Sequence, residues 1–200
     1  GDALIAVKQP FIGTVGRTQH DKNMERVTLE DFGAVGDGIT DDAPAFVKAS
    51  AAGRTIWLQA GKNYVINTPT TISVDIQGEG PYTGKSIITL TGTGQLIPGA
   101  WHLTWEGFWL KSTVSNLTFV KCSQSYFTMR NFRFGGSSTD SASAGQTGIE
   151  FDFSSGSVYF ADITLYKMQG VAYPFKFTGP ASVAQTVSSC RIGSSRRDDI

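Results

Sequence analysis

An eight-residue pattern returns along the second half of this 200-residue chain and limits the fold more than any other feature. Leu103-Thr104-Trp105-Glu106-Gly107-Phe108-Trp109-Leu110 is matched by Phe127-Thr128-Met129-Arg130-Asn131-Phe132-Arg133-Phe134. A third copy is Val158-Tyr159-Phe160-Ala161-Asp162-Ile163-Thr164-Leu165, and a weaker fourth is Gln185-Thr186-Val187-Ser188-Ser189-Cys190-Arg191-Ile192. The third, sixth and eighth places are always apolar, and the fifth is Gly, Asn, Asp or Ser. Those fifth-place types suit a bend near the left-handed region.

The fifth places, Gly107, Asn131, Asp162 and Ser189, lie 24, 31 and 27 residues apart. A fixed side-chain pattern at variable spacing marks a solenoid whose coils carry loops of different length. With a rise of about 3.3 Å per residue, two dozen residues make a triangular coil of three short strands, and parallel pairing stacks coils about 4.8 Å apart. The expected register puts Trp105, Met129 and Phe160 on one buried row. The Gly- and Ser-rich stretch 135–146 has no apolar periodicity and is expected to loop out of its coil.

Composition agrees with many short strands joined by turns. Charged residues are only 17%, and polarity comes instead from 19 Ser and 21 Thr, beside 23 Gly and 13 Phe. The 17 basic and 17 acidic residues cancel, which removes the electrostatic footprint of a nucleic-acid binder. No apolar run is long enough to span a membrane, so no membrane insertion is expected. Two Cys residues and two His residues, widely separated, make neither a disulfide framework nor a zinc site.

Upstream of the repeats, Gly33-Ala34-Val35-Gly36-Asp37-Gly38-Ile39-Thr40-Asp41-Asp42 leads into a short amphipathic segment. The spacing of Ala45, Phe46, Ala49 and Ala52 predicts one helix over about 42–52, capped by Thr40 or Asp41 and ended by Gly53. Thr55–Leu58 and Tyr64–Ile66 read as strands around Gly61. Residues 1–27 are mixed and weakly periodic, and Gln19–Asn23 is a polar stretch with the character of a linker.

The segment Asp31–Asp42, followed by a short helix and a β-rich coil sequence, resembles the start of the pectate-lyase-like right-handed β-helix superfamily. Within it, Val7-Lys8-Gln9-Pro10-Phe11-Ile12-Gly13 and Arg17–Lys22 look like the neck of podophage tailspikes. The expected fold is therefore all-β, a right-handed parallel β-helix with an N-terminal neck and one capping helix. The corresponding division is 1–27 as neck, 28–66 as cap and 67–200 as the first coils of an N-terminal part or truncated form. The resemblance implies a homotrimeric virion protein that recognises, and in complete form often depolymerises, a bacterial surface polysaccharide of capsule or O-antigen type. Its partners would be that polysaccharide and the phage tail or an upstream tailspike domain; it implies no cofactor and no metal. The other readings are a non-enzymatic truncated stem and a bacterial pectinolytic lyase or hydrolase.

Three groups of residues have chemistry to offer. The seventh place of the repeat points outward and gives the row Trp109, Arg133, Thr164 and Arg191. A Trp plate beside guanidinium groups suits an acidic sugar: the ring packs on the apolar sugar face and Arg forks the carboxylate. Trp109, Arg133 and Arg191 are thus the expected substrate-binding residues. In Ile149-Glu150-Phe151-Asp152-Phe153 the two acids share the outer strand face. Their separation of about 6.5–7 Å falls within the range of inverting glycosidases, which makes Glu150 and Asp152 the candidate catalytic pair. The competing reading pairs Asp152 with Lys121 one coil earlier. Asp37, Asp41 and Asp42 are read as turn and cap residues rather than a cation site, and Cys190 as a core thiol.

Overall fold

The structure is a computed structural model and describes residues 1–23, 26–123, 126–135, 145–154 and 160–179. The fourth repeat copy, including Cys190 and Arg191, lies outside the described residues, as do Tyr159 and most of the looped-out stretch.

The N-terminal segment pairs β1 (Ala6–Val7) with β2 (Arg17–Thr18) antiparallel and continues into α1 (Gln19–Asn23), which buries no residue. Arg26 then ties the chain to the body: its guanidinium lies 3.8 Å from the Trp57 ring centroid and 3.3 Å from Glu79.

From β3 (Val27–Thr28) onward every strand pair among the described residues is parallel, and the chain winds into three-sided coils. The entry turn carries β3 and β4 (Asp37–Asp41), with α2 (Ala43–Ala51) packed against the strand that begins the third side. Full coils follow as β5 (Ile56–Trp57), β6 (Asn63–Ile66) and β7 (Pro69–Ile72), then β8 (Ile76–Gln77), β9 (Ile87–Leu90) and β10 (Gln95–Pro98). The next is β11 (Thr104–Glu106), β12 (Trp109–Ser112) and β13 (Thr118–Cys122). In the fourth coil β14 (Phe127–Gly135) supplies two sides and β15 (Thr147–Asp152) the third; β16 (Phe160–Gln169) and β17 (Tyr173–Thr178) repeat that plan. Strand β14 serves two sides because it bends at Asn131, whose φ is 47°, pairing with β11 before the bend and β12 after it. Asn tolerates that conformation, the role expected of the fifth place.

The solenoid core is three ladders of in-register apolar side chains. Ile56, Ile76, Trp105 and Met129 line the first side, Tyr64, Ile88, Leu110 and Phe134 the second, and Leu96, Val120 and Ile149 the third, all buried. Trp105 donates its indole N–H to the Val74 carbonyl at 3.1 Å and meets Phe127 edge to face at 4.9 Å, so its one polar atom is satisfied inside. Cys122 is buried on the third side.

The sequence register is correct between the first two copies: Trp105 pairs Met129, Trp109 pairs Arg133 and Leu110 pairs Phe134. The third copy slips. Met129 pairs Ile163 rather than Phe160, and Arg133 pairs Lys167 rather than Thr164, with irregularities around Phe132. Apolar residues recur on both sides of Ile163, so the eight-residue pattern matches the segment in more than one frame. The coils built on β5 and β8 carry no copy of the pattern, because their first sides are two-residue strands. The position 66/67 falls between β6 and β7, within one coil.

Candidate functional site

The second side, formed by β6, β9, β12 and the latter half of β14, carries the outward row Asn63, Ile87, Trp109 and Arg133, continued in register by Lys167. The Arg133 guanidinium carbon lies 4.0 Å from the Trp109 ring centroid, and Lys111 Nζ lies 5.6 Å from it. Both fall within cation–π range. The indole spreads toward the next coil over Gly135, where a Cβ would sit 2.7 Å from Nε1. A residue without a side chain at that point is what lets the ring lie against the sheet. The Trp109 Nε1 is buried and has no hydrogen-bond partner. The half-buried plate is thus held between the sheet and the cations.

Trp109 and Arg133 are therefore brought together as the repeat requires, the backbone register pairs Arg133 with Lys167 rather than Thr164, and Arg191 is outside the described residues. Lys111, two residues along β12 and one row over, is the member that the single-row reading missed. Its signal was the parallel offset of Gly135, which opens a diagonal across two rows.

On the third side, Glu150 and Asp152 project outward from β15 between lysines of both neighbouring coils. Lys121 Nζ sits 2.9 Å from Asp152 Oδ2, and Lys176 Nζ sits 3.5 Å from Glu150 Oε2. Glu150 also accepts from the Thr118 hydroxyl at 3.3 Å and the Thr178 hydroxyl at 3.1 Å. Hydrogen bonds from Ser154, with help from Lys121, hold the Asp152 carboxyl down to about 2. A general acid must carry its proton at working pH, so Asp152 is unsuited to that role, and its ion pair raises the Lys121 ammonium in turn. The arrangement is a charge ladder across three coils.

The acids of the entry turn are consumed by backbone. Asp42 is 2% exposed; its Oδ1 accepts from Val35 N at 2.7 Å and its Oδ2 from Val65 N at 3.2 Å. Asp37 accepts from the N–H groups of Ile39 and Thr40 at 2.8 and 2.7 Å, which holds its carboxyl below the usual range. The helix N-cap is Asp42, not Thr40 or Asp41, and its side chain makes no cap bond because it is already spent on the turn. Asp41 instead reaches Ala43 N at 3.2 Å and Asn67 N at 3.3 Å. Gly36 has a φ of 64° and a Cβ there would press on Lys62 at 2.9 Å, so this turn depends on glycine.

The chain is 35% identical over 107 residues to the tail spike protein of Shigella phage Sf6, covering 54% of this chain and 15% of that protein. It is 40% identical over 68 residues to the tail spike protein of an Escherichia phage, covering 34% of this chain and 8% of that protein. Over these segments the chain is similar to phage tailspike proteins. It spans 15% and 8% of the length of those tailspikes. The crystal structure of tailspike protein 3 of bacteriophage CBA120 superimposes with a TM-score of 0.53 at 20% identity, over 82% of this chain and 29% of that tailspike. That likeness bears on the fold, a parallel β-solenoid of about five turns. No protein-family model matches the chain.

Proposed function

We propose that this tailspike relative serves in a phage virion tail as a host-recognition segment, binding acidic residues of a bacterial surface polysaccharide on the second side of its solenoid. The observation that carries this is the Trp109 plate clamped by Arg133, with Lys111 alongside. A uronate carboxylate can meet Arg133 and Lys111, and drawing Arg133 off the ring would open the indole to the sugar's apolar C–H face. Lys111 has no carboxylate partner among the described residues, which leaves its charge for a ligand. Association as a homotrimer, and attachment to the phage tail or an upstream tailspike domain, complete the proposal; a parallel solenoid edge is hazardous unless covered.

A second reading, a non-enzymatic stem, is favoured by the third side. There the candidate catalytic pair Glu150 and Asp152 is neutralised by Lys176 and Lys121. Depolymerisation by the complete protein would then draw on other residues.

Binding to uronate-containing capsule fragments at low salt, measured for the chain and for Arg133→Ala, decides the first reading. The expected loss is about tenfold in affinity, the equivalent of one charge-assisted contact. Unchanged affinity would remove the second side as the site. In the same samples, new reducing ends or unsaturated uronate absorbance that vanish in Glu150→Gln with Asp152→Asn would restore the pair as catalytic.

A further inference from the structure

A parallel solenoid ends in strands whose outer N–H and C=O groups have no neighbour, and such rows accept strands from other chains. At the lower end of this molecule the three walls begin with β3, β4 and β7. Helix α2 packs against β7. The end strands of the first and second sides are treated differently, and in both an Asp side chain takes the free donors.

Strand β3 is two residues long and runs straight into a 3-10 turn over Leu29–Phe32. The Thr28 N–H donates to Asp31 Oδ2 at 2.8 Å, and the Thr28 hydroxyl reaches the same oxygen at 3.2 Å. Strand β4 is longer and irregular. Asp37 pairs Asn63 and Asp41 pairs Val65, so β4 spends two more residues than β6 between the same rungs. The surplus makes a bulge, which by itself spoils an edge for pairing. Within it the Ile39 and Thr40 N–H groups both donate to Asp37 Oδ1, at 2.8 and 2.7 Å, and the Thr40 hydroxyl donates to Asp37 Oδ2 at 2.8 Å. Ile39 is 85% exposed and Thr40 is exposed beside it. Two exposed β-branched residues on an end strand are what an incoming strand would pair with.

We infer that Asp31 and Asp37 are edge guards, which keep a second copy of this chain from adding to the lower end of the solenoid by strand pairing. Asp37 carries the larger share, because β4 is the longer of the two strands. The association it blocks is isologous, β4 of one copy against β4 of another, since both copies present the same edge. Antiparallel pairing centred on Ile39 would also set Asp37 of one copy opposite Asp41 of the other, and like charges directly opposite are destabilising. The inference is independent of the glycan-recognition reading and of the second side.

The test uses the whole chain at rising concentration, with particle mass read by light scattering after gel filtration. Asp37→Ala frees the Ile39 and Thr40 donors, and its particle mass is expected to double relative to the parent's. Asp37→Asn keeps a carbonyl oxygen for the same donors and should stay at the parent's mass. Asp37→Ala combined with Ile39→Lys places a cation on the freed edge and should return to the parent's mass. The guard is overturned if Asp37→Ala keeps the parent's mass at every concentration, or if Asp37→Asn associates equally well. Association that survives Ile39→Lys overturns it too, because the contact then lies elsewhere. Amide exchange in the parent chain supplies a readout that needs no variant to fold. The Ile39 and Thr40 N–H groups should exchange about tenfold more slowly than in an unstructured peptide of the same sequence, and equal rates would overturn the guard as well.

Discussion

The second and third sides of the solenoid share one backbone plan and acquire opposite surfaces. On the third side each outward acid finds a lysine on a neighbouring coil, so Lys121, Asp152, Glu150 and Lys176 settle their charges within the wall. On the second side the Arg133 guanidinium also stacks on an indole, and Lys111, with no carboxylate partner among the described residues, stands at the ring's edge. A cation such as Lys111 at the edge of a ring keeps its charge available, whereas a lysine held against a carboxylate does not. Parallel stacking thus sets which residues meet, and the identity of one neighbour decides whether a wall is closed or open to a ligand.

The comparison assumes that the inner faces of the two sides are equivalent, and the largest predicted effect tests that. Phe134 on the second side is fully buried and Phe151 on the third is 2% exposed. Phe134→Ala and Phe151→Ala should each destabilise by about 3–5 kcal/mol in urea unfolding. A difference greater than their uncertainty would mean that the sides differ in packing, not only in outer charge.

A smaller effect concerns the closed wall. Asp152→Asn should cost about 1 kcal/mol, as expected for a partly exposed ion pair with added hydrogen bonds. The folded carboxyl sits at about 2, below its ordinary 3.8, so its stabilisation is present above pH 3.8 and is lost as the pH falls toward 2. The Asn variant should therefore lose less stability than the parent chain over that acid range. Identical acid profiles would show that the wall does not close through Asp152.

The smallest change in stability should give the sharpest functional contrast. Gly135→Ala places a methyl 2.7 Å from Trp109 Nε1 and must push the indole off its seat. Thermal stability should barely move while uronate affinity drops; retained affinity would show that the ring's seat on the sheet does not matter.

Much of the fold was legible because the repeat encodes both direction and register. Trp105 inward and Trp109 outward, four residues apart, follow from the places they hold in the pattern, and Asn131 announces its bend. The slip at Phe160 was hidden because β16 offers apolar residues in more than one frame, and pairing irregularities cost little where a strand already bends. Strands β5 and β6 were legible, but their place in a full coil was not, because two-residue first sides such as Ile56–Trp57 are too short to carry the repeat. At the site, Trp109 over Arg133 was readable from a single row, whereas Lys111 needed the diagonal across Gly135.

The helix α2 gives the stack a floor. It stands against β7, the end strand of the third side, so at that end no row of open backbone groups invites another layer on that wall. On that wall a further layer can pair only at the opposite end, so there the column is closed below and extensible above.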